Sequence, residues 1–525
     1  MRTPSQERKE DPHSGMAMNG TRQPSCVLRE RYLAVVGLAL FAVVVGCQAI
    51  LSPVVGVANN GDFSRLTLSV GLSPTHQSHA PLRSFPRYYT WEPSSRGKCF
   101  PTSEMIFVVA ALVGHCVAGK PPVFDVASMG AVHAVAYVAV FGLLCGAVVR
   151  CGGRLQWLFL LLCVLVLGDV AYVAYFNSFY AEAGTLIFLL LAIAISIRIA
   201  LGAGQGGVPR RWLAALAAAS SLFVLAKLQN ALLGPVLAFM VYRLSCLHGG
   251  KDGQHVATRR YGAWLGAFVL IVSVLYWHLY TLFPMGIRNV NVYDSVFFQI
   301  IRTSPTPAAD LKELGLDESF VRYKGTHAWS PGVTEEVYDE VYKRVGERGI
   351  IRFYLRHPGR FLGLVLRGSK YAFVMRPGYL GNFDNEAIEA MLKRKAAVPR
   401  GPNESLCSDS ANLLKLPAPY RSSAFSIYST AKERLFGGKR WPFFAFWLVN
   451  LGVLIAKRRL FDRDRFDGAI TFVHGAVLVM AALQFATVTM GAGELDIVKH
   501  LFVFGITCDM CILFIAGYCL LRRPC

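Results

Sequence analysis

Acidic side chains are scarce in this chain. Its 525 residues hold 33 Asp and Glu against 54 Lys and Arg, and charged residues of both signs make up only 17 %. With 54 % hydrophobic residues and uncharged stretches near 20 residues recurring from residue 32 onward, the composition excludes a soluble enzyme and predicts an all-α polytopic membrane protein. A cleavable signal is lacking too. The apolar run 32–57 carries no small-residue cleavage signature and is long enough to span, so it reads as a retained first helix behind a polar tail, residues 1–28, that reads as disordered and cytoplasmic. There is no evident internal repeat, and the first loop outside the membrane holds no Asp-x-Asp pair or His cluster.

Nor do the 13 cysteines make a disulfide scaffold. Cys47, Cys145, Cys163, Cys508, Cys511 and Cys519 lie in apolar runs, as small core residues do. Cys508-x-x-Cys511 has metal or redox spacing but no second pair. Only Cys99 and Cys407 fall clearly in outer segments, where an oxidising compartment allows them to pair.

The formal charge of +21 would suit nucleic acid if the basic residues formed a patch. They sit instead at the ends of apolar runs, which is how membrane topology is encoded, and nucleic acid is excluded as a partner in favour of the lipid bilayer. Arg22, Arg29 and Arg31 hold the start of the first run in the cytoplasm and put Asp62 outside. Runs 126–149, 183–197, 232–241, 441–456 and 501–521 each end at a basic cluster: Arg150 and Arg154; Arg198, Arg210 and Arg211; Arg243, Lys251, Arg259 and Arg260; Lys457, Arg458 and Arg459; Arg522 and Arg523. Runs 155–176, 212–226, 261–283 and 468–490 lead outward between them. About ten spans result, with both termini cytoplasmic, provided that 104–119 does not cross; that stretch reads as an amphipathic in-plane or re-entrant helix on the outer surface. The expected organisation is a seven-span module over 29–283 with an outer loop at 58–125, a long extracytoplasmic segment at 284–440, and three C-terminal helices in 441–525.

The polar groups outside the membrane carry the chemistry. Asn59-Asn60-Gly61-Asp62-Phe63-Ser64-Arg65 places an acid and a cation where the first span leaves the bilayer. Asn177 to Glu182 is a polar interruption short enough to point into the same vestibule. Lys227-Leu228-Gln229-Asn230 puts a lysine on the outer side, against the charge rule. Asp496, Lys499 and His500, beside Glu494, follow an i, i+3, i+4 pattern and share one helical face. Each has a plainer reading as a helix cap, an interfacial anchor or a surface ion pair. Asp169 and Asp509, inside apolar runs, read as partners of polar neighbours within the bundle.

The order of these elements resembles the GT-C superfamily of polyprenyl-phosphate-dependent glycosyltransferases. Asn59 to Arg65, Phe176 to Glu182, Lys227 to Asn230, Asn291-Val292-Tyr293-Asp294-Ser295-Val296-Phe297-Phe298, Thr326-His327-Ala328-Trp329 and Asp496-Ile497-Val498-Lys499-His500-Leu501-Phe502 are similar to stretches of bacterial WsfD-type glycan-biosynthesis hexosyltransferases. The resemblance runs from Tyr32 to the end. It implies a GT-C-like bundle in a bacterial plasma membrane, with an extracytoplasmic active site that transfers a hexose from a polyprenyl-phosphate sugar, normally with inversion, to an acceptor glycan or lipid-linked glycan. It further implies Asp62 as general base and Arg65, Lys227, Lys499 and His500 as ligands of the leaving phosphate. Glu182 would orient the acceptor, bind sugar hydroxyls or join a metal site. Asn60, Gln229 and Asp496 would bind substrate, and Tyr180, His327 and Trp329 would line the sugar pocket. The cofactor is left open; Asp62 and Glu182 are oxygen ligands of the kind Mg2+ or Mn2+ takes. The rival class is a transporter or flippase for a lipid-linked sugar.

Overall fold

The computed structural model describes residues 24–51, 54–59, 61–75, 87–97, 99–119, 122–151, 153, 155–202, 209–247, 252–280, 286–382, 424–458, 465–491 and 494–521. The chain is an all-α polytopic membrane protein. Among the described residues, six helices are long and apolar enough to cross a bilayer: Tyr32–Ala49, Ala127–Cys151, Glu182–Gly202, His255–Leu279, Gly468–Gly491 and Phe502–Leu520. Counted as one span, the pair Gln156–Leu167 and Val170–Asn177, with a bend of 43° between its halves, makes a seventh.

The break follows from residue chemistry. Asp169 adopts an extended conformation and caps the second half, its carboxylate accepting from Ala171 N at 2.9 Å. The carbonyls freed at the bend accept from Tyr137 OH (Leu167 O, 2.9 Å) and Gln48 Nε2 (Gly168 O, 2.8 Å). Backbone inside a membrane needs such partners, because no water is there to supply them. Asp169 also accepts from Ser429 N at 2.8 Å, and Asp509 takes Lys432, Tyr428 OH (2.6 Å) and Tyr172 OH (2.5 Å). Both acids tie helix Ile427–Phe436 to the bundle.

The three remaining apolar runs form helices Arg210–Ala226, Gly234–Ser245 and Trp441–Arg458 of 17, 12 and 18 residues. The first two are separated by the 3-10 turn Leu228–Leu233, which is where the polar Lys227-Leu228-Gln229-Asn230 interrupts the apolar pattern.

Helix Met105–Val117 has 13 residues, roughly 20 Å, too few to span. Its start is clamped to the bundle: Thr102 Oγ1 donates to Ala226 O and Ser103 Oγ to Leu222 O, both at 2.7 Å, and Tyr276 OH donates to Pro101 O at 2.8 Å. One face buries Phe107, Val108, Ala111 and Leu112. The opposite face exposes Ile106, Val109, Val113 and Val117. The expectation of an amphipathic surface helix is corrected here: the free face is apolar and suited to acyl chains rather than water.

The described segment 286–368 packs its own core around Tyr293, Phe297, Ile301, Phe320 and Phe353. Its continuation returns to the bundle as strand Leu380–Asn382, antiparallel to Val55–Val57 with Gly56 opposite Gly381. A second small sheet, Leu72–Pro74, Tyr88–Trp91 and Val123–Asp125, braces the first loop.

Candidate functional site

The site starts from a turn. Asn59 Oδ1 accepts from Gly61 N at 2.8 Å and Phe63 N at 3.3 Å, while Gly61 takes φ +107°, a conformation open to glycine. That turn presents the Asp62 carboxylate at the start of helix Ser64–Val70. Arg65, one helical turn on, reaches it at 2.9 Å. Lys499, 437 positions away, ion-pairs to the other carboxylate oxygen. The Lys499 side chain is 1 % exposed, and its ammonium stands 4.0 Å from the centroid of the Tyr180 ring. Tyr180 is held in turn by its hydroxyl, which donates to Ala58 O at 2.8 Å.

The second carboxylate opens helix Glu182–Gly202, and Glu182 Oε1 accepts from Lys227 Nζ at 2.6 Å. Gln229 Nε2 donates to His500 O at 3.5 Å. Asp496 has φ +45°, a left-handed conformation costly for a residue with a side chain. Both of its oxygens accept from Tyr379 OH, at 3.1 and 3.0 Å, and the Tyr379 carbonyl accepts from Ala58 N at 3.1 Å. Strand Leu380–Asn382 thus carries Tyr379 into the site, a role without any signal in sequence.

Burial works against charge throughout, and the neighbours decide the outcome. At Asp62 desolvation is outweighed by Arg65 and Lys499, which hold the carboxyl well below the usual range. Asp496 goes the other way: burial, helped by Asp62 and Glu182, pushes it up to about 6 against the pull of Lys499. Burial works to lower Lys499, but Asp62, Glu182 and Asp496 raise it. His500 is driven well below an ordinary histidine by burial and by Lys227 and Lys499.

Asp62, Arg65, Thr102, Tyr180, Glu182 and Lys227 line one cavity of about 40 Å³. That volume is far below the several hundred Å³ of typical ligand sites, so any ligand of ordinary size needs the ion pairs across it to part.

Sequence reasoning passed over a fully buried pair just beneath. Glu104 Oε1 lies 2.7 Å from His133 Nε2, Glu104 Oε2 accepts from Gly184 N at 2.8 Å, and His133 Nδ1 lies 3.0 Å from Phe176 O. A ring nitrogen facing a carbonyl must donate, so Nδ1 carries a proton and the Glu104–His133 contact shares a second. Gly184 leaves room for that carboxylate: a Cβ there would meet Glu104 Oε2 at 2.4 Å. An acid at the start of a short helix with a histidine in the next span was the only available signal.

The other nominated residues lie elsewhere. His327 is buried in segment 286–368, its Nδ1 accepting from Trp329 N at 3.2 Å, and Trp329 is exposed; neither lines the cavity with Tyr180. Burial lowers His327 to about 4. The neighbouring Asp294, buried and bonded to Ala328 N at 2.8 Å, rises to about 7. Asn60 lies outside the described residues, as does Cys407, the suggested partner of the exposed Cys99.

A divalent ion does not fit. Asp62 and Glu182 are each engaged by cations, Arg65 and Lys499 at one and Lys227 at the other, so an added metal would be repelled where it would have to sit. Among the described residues, no three His, Cys, Asp or Glu side chains gather as a ligand set.

Fold and site together define a polytopic helical membrane protein whose ionisable groups converge at one end of the bundle. The chain belongs to the family described as YfdI N-terminal transmembrane domain, whose model matches residues 22–398 and 415–525. Membership fits, at a coarse level, a membrane glycosyltransferase-like protein. A search of curated proteins and one of solved structures each find no match.

Proposed function

We propose that this protein is a GT-C-type hexosyltransferase, with WsfD-like specificity, that moves a hexose from a polyprenyl-phosphate sugar to an acceptor glycan or lipid-linked glycan. One observation carries the reading: two carboxylates and three cations from distant parts of the chain, Asp62, Glu182, Arg65, Lys227 and Lys499, converge at one small site.

In the reaction, Asp62 takes the proton of the acceptor hydroxyl, whose oxygen forms a bond to the anomeric carbon. The bond from that carbon to the phosphate oxygen breaks, and its electron pair leaves with the polyprenyl phosphate. Arg65, Lys227 and Lys499 stabilise the charge developing there. Two of these cations are paired with Asp62, which makes it a weak base. A donor phosphate competes for Arg65 and Lys499, and as they turn to it the Asp62 carboxylate gains basicity when the acceptor arrives. Glu182, held by Lys227, orients the acceptor. Asp496 and Tyr379 bound the donor side.

The charge rule supports placing this site outside the cytoplasm and both termini inside, as expected for a plasma-membrane enzyme. The seven-span module over 29–283, the outer segment over 284–440 and the closing helices over 441–525 are the corresponding working units.

The reading is tested with purified protein given a radiolabelled polyprenyl-phosphate hexose and an acceptor glycan, alongside the same protein in proteoliposomes. Label transferred to the acceptor supports it. Movement of the intact donor across the bilayer without transfer supports the flippase reading instead.

A further inference from the structure

A second cavity lies away from that chemistry, at the opposite ends of the same helices. It holds about 240 Å³ and is walled by apolar side chains, among them Leu144, Phe159, Ile470 and Phe514. Its one charged lining group is Lys457, whose ammonium stands 4.7 Å from the centroid of the Tyr518 ring.

The surroundings are basic. Arg150 adjoins the lining residue Cys151, and Arg198 adjoins the lining residue Ile197. Among the described residues, no carboxylate forms an ion pair with Lys457, Arg150, Arg198 or Arg211. An apolar slot between membrane helices with a lysine in its lining is complementary to an anion carrying a hydrocarbon chain.

We propose that this cavity binds an anionic phospholipid of the cytoplasmic leaflet, one acyl chain in the slot and the phosphate on Lys457. The leaflet follows from the charge rule. The site stands independently of the transferase reading, since the cavity touches none of the residues assigned to transfer.

The test uses the delipidated full-length protein in a neutral detergent, with phosphatidylglycerol or phosphatidylcholine of identical chains added. Thermal unfolding and native mass spectrometry are the readouts, so no activity is needed. Phosphatidylglycerol is expected to raise the unfolding temperature by a few degrees and to stay bound at one molecule per chain, while phosphatidylcholine does neither. Lys457→Gln removes the head-group contact and Cys151→Phe fills the slot; each should abolish the shift without loss of the folded protein. Should one variant fail to fold, the other, together with the lipid count on the wild type, decides. Equal shifts from both lipids, a shift surviving both substitutions, or preferential retention of a polyprenyl phosphate in competition would overturn the proposal.

Discussion

Lys499 and Asp62, 437 positions apart, form an ion pair directly over the face of Tyr180. The contact closes the candidate site, because it joins the loop after the first span to the turn before the last. An almost fully buried ammonium is tolerated only with such a counter-charge, and the aromatic face adds a second favourable contact.

Removing that ammonium should therefore hit the chemistry. Lys499→Met is expected to lower kcat by about 10²- to 10³-fold, the loss usual when one donor to a developing oxyanion is deleted. Lys499→Arg should not restore it, since the planar, bulkier guanidinium does not fit the position over Tyr180. Steady-state transfer kinetics on detergent-purified variants check both.

Asp496 predicts a pH dependence. With its carboxyl near 6, Asp496 is ionised at pH 7.5 and protonated at pH 5. Protonation removes a negative charge beside Lys499, so the site becomes more cationic as the pH falls and holds a phosphate more tightly. The donor KM should fall on going from pH 7 to pH 5, and Asp496→Asn should show the low KM across that range. A KM that rises toward acid in the wild type contradicts this assignment.

The buried Glu104–His133 pair predicts a stability effect. Glu104→Ala strands His133 and Gly184 N without partners inside the bundle, at a cost of about 3–5 kcal/mol. Glu104→Gln keeps an acceptor for Gly184 N and should cost less. Gly184→Ala forces the start of helix Glu182–Gly202 away from Glu104, which should lower transfer by displacing Glu182 as well as lower stability. Thermal unfolding in detergent, paired with transfer rates, separates the two effects.

Much of this was legible in the chain. Asp62, Arg65, Glu182, Lys227 and Lys499 all stand at ends of apolar runs, where an ionisable group needs a reason, and these are the residues that come together. The break at Asp169 was harder to see, because its partners Gln48, Tyr137 and Ser429 are remote in sequence and only tertiary packing supplies them. The strands Val55–Val57 and Leu380–Asn382 are too short for a period-2 pattern to register, so the arrival of Tyr379 at Asp496 was invisible. His327 and Trp329 sit in a motif-like stretch, yet they serve the outer segment's own packing and surface. Residue type and position identified the Asp62 cluster because charge near a membrane is expensive; in the outer segment a polar residue costs little, and the same reasoning loses its grip.

The most direct test of the account is transfer of radiolabelled hexose from a polyprenyl-phosphate donor by the wild type and by Asp62→Asn, with unfolding temperature and detergent-column profile as controls for folding. The account predicts transfer by the wild type and at least about a 10²-fold loss in a variant that elutes and unfolds as a folded protein. Undiminished transfer by Asp62→Asn would contradict it.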